Sequence, residues 1–512
     1  MESKLHPSFT GLMHSFLNYG DRIAVTDKKG RRYSYDDFYR HIAWSRIELQ
    51  KKGVQKGSKV LLAIPMSMEL YVTMEALFSL GAVIIFLDPW MNGKQMGKII
   101  KRIEPELFIT TPKIRCFAYF SVAAWSIKKW WSFSTMKTND EKWAPIHVTN
   151  EDQALVTFTS GTSGEPKGAD RDFGFLAAQI QALKPHMQSN EEEVFVDYTN
   201  FPIVGLADFA MGNQLVIPAI NLMKIDEAKH ASIKKSLENE QVNRIIVSPA
   251  LLLKIEEVLA ETGKSFQLKN IITGGAPIPF AVIQKINQQY GHLHAEAIFG
   301  STEAEPIAIA SFKEVQKMME ENPMCGTYVG AYVSDIQLKI MKPSRVAVNA
   351  DYMKNYSCND GVSGEVVVCG EHVNRKYYKN GEAFKANKIT DELDQIWHRT
   401  GDVGYLKEGK LFLTGRVHRR VEKNNQQYHP YPIEFYLERK LQLKDTGYLQ
   451  SKNGEIILFI GGECKPSDDQ IFQLCREVDY PLDRIHRLKK SLPRDPRHKT
   501  KLATQPLLEL SL

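Results

Sequence analysis

Thr159-Ser160-Gly161-Thr162-Ser163-Gly164-Glu165-Pro166-Lys167-Gly168 is the stretch on which the reading of this chain turns. Four hydroxyls and three glycines fill ten positions, and a lysine stands beside a proline. Glycines let a loop take positive φ and bring backbone N–H groups close to a ligand. Hydroxyls and N–H groups bind phosphate oxygens, and one ammonium adds positive charge. The Walker spacing Gly-x-x-x-x-Gly-Lys-Ser/Thr is absent, so this is a polyphosphate loop of another kind. Ala154-Leu155-Val156-Thr157-Phe158 before it is an apolar run that predicts a strand, which puts the loop at a strand end.

Working outward, strands and helices alternate. Ile23–Asp27 and Tyr33–Tyr35 read as short strands, Asp36–Lys51 as a helix, Lys59–Ile64 as a strand, Ser67–Leu80 as a helix and Val83–Leu87 as a strand. Arg244–Val247, Asn270–Thr273 and Glu296–Phe299 are further short strands. This alternation predicts a mostly parallel sheet covered on both faces, with ligands at the strand C-termini. From about Gly330 to Gly415, short Val/Ile-rich runs alternate with turns and predict a small β-subdomain. The segment after Gly415 has its own apolar runs, such as Glu455–Ile460, enough for a small α+β domain.

With 512 residues, two or three domains are expected. A composition of 43% hydrophobic and 25% charged residues fits a globular protein. The net charge of +6 is small for this length, and the basic clusters Arg416–Arg420 and Lys489–Lys501 are short, which argues against nucleic acid as partner. Six scattered cysteines form no Cys-x-x-Cys, and no His/Cys spacing suggests zinc. Met1–Thr10 lacks the apolar stretch of a signal peptide. Ala76–Leu87 is shorter than the roughly 20 residues that span a bilayer. A cytoplasmic location is expected. Lys113–Ser134, with Trp125, Trp130 and Trp131, is expected either to pack on the core or to meet an acyl chain or membrane surface.

The order of motifs resembles the AMP-forming adenylating enzymes: acyl-CoA synthetases, luciferases and peptide-synthetase adenylation domains. Thr159–Gly168 resembles their phosphate loop, Gly275-Ala276-Pro277 their adenine-side loop, and Phe299-Gly300-Ser301-Thr302-Glu303 their aromatic-Gly-x-Thr-Glu motif. Thr400-Gly401-Asp402 resembles their Thr-Gly-Asp, and Gly415-Arg416 their hinge. The resemblance implies an α/β fold. It would have a large N-terminal domain of stacked mixed sheets with flanking helices and a β-subdomain, residues 1–415. A small mobile α+β lid would follow, residues 416–512. It also implies ATP and Mg2+ as cofactors and a carboxylic acid as substrate, activated as its acyl-AMP with release of pyrophosphate. A transfer to CoA or to a carrier-protein thiol would follow.

Each motif then has an expected task. Thr159, Ser160, Gly161, Thr162, Ser163, Gly164, Lys167 and Gly168 hold the β- and γ-phosphates, and Thr302 the α-phosphate. Glu303 takes Mg2+, a hard cation that prefers oxygen. Phe299 and Gly300, with Gly275, Ala276 and Pro277, flank the adenine. Asp402 accepts the ribose hydroxyls and Arg416 reaches the ribose or phosphate. In Arg497-His498-Lys499-Thr500-Lys501-Leu502, Lys501 best matches the family's catalytic lysine, and Lys499 is the fallback. The apolar run Asn200–Met211 occupies the family's acyl-pocket region and suits an aliphatic chain, although a core helix reads the same way.

The hinge departs from the family. Gly415-Arg416-Val417-His418-Arg419-Arg420 puts His418 at the hinge position, and the run on through Val421-Glu422-Lys423-Asn424-Asn425 to Pro430 lacks the glycine pair common in the family. Close approach of pantetheine to the backbone is thereby in question. Together with Trp397-His398-Arg399-Thr400-Gly401-Asp402 and Thr302-Glu303-Ala304-Glu305-Pro306, these departures resemble the β-lactone synthetases of bacterial olefin biosynthesis and their fatty-acid-CoA-ligase-like relatives. In those synthetases the hydroxyl of a 3-hydroxy acid attacks its own acyl-AMP. A non-catalytic nucleotide-binding protein is the remaining alternative.

Overall fold

A computed structural model describes residues 5–87, 91–118, 126–132, 136–159, 166–188, 194–443, 445–463, 466–494 and 502–510. Among these, strands and helices alternate as the sequence predicts. The transitions are marked by capping residues. Ser248 follows the strand Arg244–Val247 and accepts from the Leu251 N–H, and Pro249 opens the helix Pro249–Thr262 without forfeiting a needed donor. Ser34 forms a reciprocal capping box with Asp37 at the start of the helix Tyr35–Lys51.

Two sheets carry the fold. One has seven strands, in the spatial order Lys376–Tyr377, Lys167–Asp172, Gln153–Thr159, Val83–Leu87, Lys59–Ala63, Leu107–Thr110 and Lys129–Ser132. Its last five strands are parallel, whereas Lys167–Asp172 returns antiparallel to Gln153–Thr159. The other sheet has fourteen strands. Its parallel half contains Ile23–Thr26, Gln214–Val216, Val196–Thr199, Arg244–Val247, Asn270–Gly274 and His294–Ser301. From His294–Ser301 onward it becomes antiparallel, through Ala304–Ser311, Thr327–Tyr332, Lys410–Arg416, Ile396–Lys407, Gly364–Gly370 and Ile336–Met341. The β-rich segment expected as a subdomain is therefore hydrogen-bonded continuously to the large sheet.

The helix Met68–Ser79 is buried at every position but Glu69 and lies in a core shared by strands of both sheets. A helix that is apolar all round has no stable place but an interior. The aromatic segment packs inward as well. Trp130 sits edge-on to Phe108 with centroids 4.9 Å apart and donates to the Ile127 carbonyl at 2.9 Å. Trp131 packs beside Trp44. Trp125 lies outside the described residues. Near the C-terminus, Thr446–Gln450, Ile456–Gly461 and Arg484–Leu488 form a separate three-stranded sheet, covered by the helices Pro430–Leu441 and Asp468–Glu477 around its own apolar cores. Among the described residues no helix is long and apolar enough to cross a membrane.

One buried ion pair ties the parallel half together. Arg244 donates twice to Asp197, at 2.6 and 2.5 Å, and both side chains have no solvent exposure. Asp208, also buried, has its carboxyl pushed well up by burial and by neighbouring Asp197. We predict that Arg244→Met, which leaves two carboxyl groups buried without a counter-charge, costs about 3–5 kcal/mol of stability. The shift of the denaturant midpoint checks it.

Candidate active site

The strands Gln153–Thr159 and Lys167–Asp172 pair with Thr159 opposite Lys167, so the phosphate-loop sequence joins two neighbouring strands at the end of a parallel sheet. Ser160, Gly161, Thr162, Ser163 and Gly164 lie outside the described residues, as does the side chain of Thr159. Gly168 owes its identity to packing. A Cβ there would sit 2.7 Å from the Phe158 ring. Lys167 is half-buried and its Nζ donates to Asn387 Oδ1 at 3.3 Å. Burial lowers its ammonium pKa, and Glu303 opposes that shift.

Glu303 stands in the two-residue turn between His294–Ser301 and Ala304–Ser311, not at a helix start. The turn is held from the other sheet. Arg171 Nη2 donates to the Thr302 carbonyl at 2.6 Å, and the Asn374 N–H donates to the Glu303 carbonyl at 2.6 Å. The Tyr377 hydroxyl donates to Glu303 Oε1 at 3.1 Å. Burial pushes the Glu303 carboxyl up, yet the groups around it bring it below the usual carboxylate range. His398 has lost its own proton down to about 3, through burial and then Lys388. Lys388, Tyr377 and Arg171 therefore supply the stabilisation.

Lys388 is 3% exposed. It donates to the Asn374 carbonyl and lies 5.3 Å from the centre of the Tyr377 ring. Burial lowers its pKa to about 7, opposed by Glu303. Asn387, one residue earlier, contacts Lys167 and also accepts from the His398 ring N–H at 3.3 Å. Tyr377, Asn387, Lys388, His398 and Arg171 thus surround the expected site although the motifs assign none of them a role. His398 was visible in the Trp-His-Arg string. Lys388, in the three-residue strand Lys388–Thr390, reads from sequence as an edge lysine.

The residues expected on the nucleotide side lie on neighbouring strands. Gly274 pairs with Ile298, so Gly275-Ala276-Pro277, leaving one parallel strand, comes beside Phe299-Gly300 near the end of the next. Gly275 has φ +81° and its Cβ position faces the Phe201 ring at 3.9 Å. Asp402 and Arg416 are register partners, joined by an Arg416 Nη1 to Asp402 Oδ1 bond of 2.6 Å. Gly401 takes φ +71°, and the Thr400 hydroxyl accepts from the Asp402 N–H while donating to the Val366 carbonyl. Lys499 and Lys501 lie outside the described residues. Their flanks meet at a bridge between Arg494 and Leu502.

Just past Arg416, burial and then Arg416, Arg419 and Arg345 lower the His418 pKa to about 4, so the ring is neutral at physiological pH. Two arginines grip the strap 343–346. Arg420 donates to the Pro343 carbonyl at 3.0 Å, and Arg399 donates to Ser344 and Val346 carbonyls at 2.6 and 2.8 Å. Beyond it, Asn424 and Asn425 turn the hairpin Val421–Lys423/Gln426–Tyr428 with φ of 53° and 60°. Asparagine tolerates the left-handed region, so the tight turn survives without glycine while two side chains are added to it.

A continuous sheet, phosphate-loop strands and facing carboxylate stations define a nucleotide-handling α/β protein. The chain belongs to the AMP-binding enzyme family, whose sequence profile matches residues 13–378. It is 28% identical to the olefin beta-lactone synthetase of Stenotrophomonas maltophilia (strain K279a), across 72% of this chain and 70% of that protein. Its fold matches the amide bond synthetase McbA of Marinactinospora thermotolerans with a TM-score of 0.82, at 16% identity, covering 99% of this chain and 100% of that one. It also matches O-succinylbenzoate coenzyme A synthetase (MenE) of Bacillus subtilis in complex with ATP and magnesium ion. There the TM-score is 0.77 at 17% identity, covering 97% and 98% of the two chains.

The buried Lys388 makes a signed prediction. Its folded pKa of about 7 lies below a lysine's ordinary value of 10.5, so the unfolded chain binds its proton first as pH falls. Wild-type stability therefore drops through that window and levels off near pH 7. Relative to wild type, Lys388→Met gains more in denaturant midpoint at pH 7 than at pH 9, whatever fixed cost the lost hydrogen bond carries.

Proposed function

We propose that the protein activates a fatty or hydroxy-fatty carboxylic acid with ATP, forming the acyl-AMP and releasing pyrophosphate, and then passes the acyl group to CoA. The observation that carries this reading is the grouping of Lys167, Thr302 and Glu303 at the meeting of the two sheets, with Arg416 bonded to Asp402 on the neighbouring strands. A carboxylate is a poor electrophile, and adenylation gives it a good leaving group. The protein's part is to neutralise phosphate charge, align the attack and exclude water.

In this reading Lys167 and the phosphate loop hold the β- and γ-phosphates, and Thr302 meets the α-phosphate. Glu303 fits a divalent cation. It is ionised, and among the described residues its Oε2 has no hydrogen bond. Mg2+ held there would offset charge on the phosphates. Phe299, Gly300, Gly275, Ala276 and Pro277 flank the adenine. Asp402 Oδ2 meets a ribose hydroxyl while Arg416 holds Oδ1. Residues 1–415 form the adenylation domain, and residues 416–512 form a lid that carries Lys501. The apolar cluster of Leu183, Met187, Val204, Ala207, Ile246 and Ile272 supports an aliphatic acyl chain. A cytoplasmic enzyme fits the absence of a membrane-spanning helix among the described residues.

A second reading is favoured by the hinge. The asparagine pair adds bulk where a pantetheine arm would need close approach, and the likeness to a beta-lactone synthetase covers 72% of the chain. In that reading the substrate's own 3-hydroxyl attacks the acyl-AMP.

Both readings predict that Lys167→Ala or Glu303→Ala slows acid-dependent ATP–pyrophosphate exchange by about 100-fold or more, as for lost electrostatic stabilisation. Near-normal exchange removes that residue from the assignment. Mass spectrometry of products from a 3-hydroxy acid, ATP, Mg2+ and CoA separates the acceptors. A thioester is expected for the CoA reading, and a product one water lighter than the acid for cyclisation.

A further inference from the structure

Glu305 is the second residue of the strand Ala304–Ser311, two residues beyond Glu303, and nothing in the adenylation reading uses it. Its backbone is fixed on two sides. Gln179 Nε2 donates to its carbonyl at 3.2 Å. The Gly300 backbone lies so close that a Cβ there would be 3.1 Å from Glu305 Cα and 3.2 Å from its Cβ. Glu303, by contrast, accepts from Tyr377 at Oε1 and has cations around it.

The Glu305 carboxylate is half-buried, and among the described residues no hydrogen bond or ion pair reaches it. Burial pushes its carboxyl up, and Arg171, the cation that also serves Glu303, opposes the shift. A carboxyl group in such a place is stable while water solvates it. It becomes costly once an apolar ligand displaces that water.

What lies beyond Glu305 is apolar. Gln179, Leu183 and Met187 are spaced i, i+4 and i+8 on the helix Phe173–Met187 and so share one face. Gln179 touches Glu305, while Leu183 and Met187 belong to the cluster with Val204, Ala207, Ile246 and Ile272. At 1.5 Å per residue the face runs about 12 Å from Gln179 to Met187. Phe201, Ile203, Met211 and Ile298 stay partly exposed against that cluster. Glu305 thus follows the turn Thr302–Glu303 in the chain and meets, through its carbonyl, the first residue of this largely apolar face.

We propose that Glu305 is a specificity-determining residue that selects acids bearing a hydroxyl close to the carboxylate, by accepting a hydrogen bond from that hydroxyl. The inference rests on the adenylation reading. An acid laid along this face with its carboxylate at Thr302 presents its first few carbons to Glu305 and its tail to the cluster. A hydroxyl there replaces the water that Glu305 loses, whereas a plain alkyl chain leaves the carboxyl group unpaired.

The test compares kcat/KM in ATP–pyrophosphate exchange for decanoate, 3-hydroxydecanoate and 3-aminodecanoate, with wild type, Glu305→Gln and Glu305→Leu. Wild type is expected to favour the hydroxy acid over decanoate by about tenfold or more, the scale of one well-placed hydrogen bond. Glu305→Gln, which still accepts a hydrogen bond, keeps part of that ratio. Glu305→Leu brings the ratio to about one while keeping or raising turnover of decanoate, a change that general damage to the fold would not produce. Equal rates for the two acids in wild type, or an unchanged ratio in Glu305→Leu, overturn the inference but leave adenylation standing. A preference for the amino acid over the hydroxy acid overturns it in favour of an ammonium ligand. Exchange with none of the three removes the adenylation reading and this inference with it.

Discussion

A buried carboxylate is tolerable only where its surroundings compensate for lost water, and Glu303 sets that condition for the whole site. No single element meets it. Arg171 comes from one sheet, Lys388 from the other, and Tyr377 from the short strand that pairs with Lys167–Asp172. The strands must therefore be assembled before the turn Thr302–Glu303 can hold its charge. Residues 374–377 have a large share in this. Asn374 binds the Glu303 carbonyl and accepts from Lys388, while Tyr377 reaches the carboxylate.

This arrangement separates two kinds of charge. Arg244–Asp197 is closed to solvent and serves packing. The stations at Lys167, Glu303 and Asp402–Arg416 are partly open at strand ends, where a ligand can join them. Parallel strands end with their loops on one side, so adjacent ends such as Gly274 and Ile298 bring distant motifs together without further machinery.

Much of this was legible in the sequence because local patterns govern it. The run Ala154–Phe158, the strand at Arg244–Val247 with its Ser-Pro cap, and the helix Asp36–Lys51 follow from periodicity and capping alone. The ordered motifs singled out Glu303, Asp402 and Arg416, which the structure puts in the turn after His294–Ser301 and on two paired strands. What the sequence did not reveal depends on long-range pairing. Lys388 looks like a surface lysine until its strand is laid beside His398. The segment 330–415 reads as a small β-subdomain, but its junction with the large sheet, where Thr327–Tyr332 pairs with Lys410–Arg416, is long-range and not written in any local pattern. Asn424-Asn425 reads as a lost glycine pair, although asparagine reaches the same backbone region.

The strap 343–346 has a mechanical consequence. Arg399 anchors it to the strand that bears Asp402, while Arg420, just past Arg416, grips it from the other side. A pivot at Arg416 that parts Arg420 from Pro343 gives up one charge-assisted hydrogen bond, about 1.5–3 kcal/mol. For a C-terminal segment that moved as one body, that contact would be a detent, acting with the bonds of Arg439 to the Met319 and Pro323 carbonyls. Such a body would have a discrete stop with a threshold for leaving it, rather than a free swing.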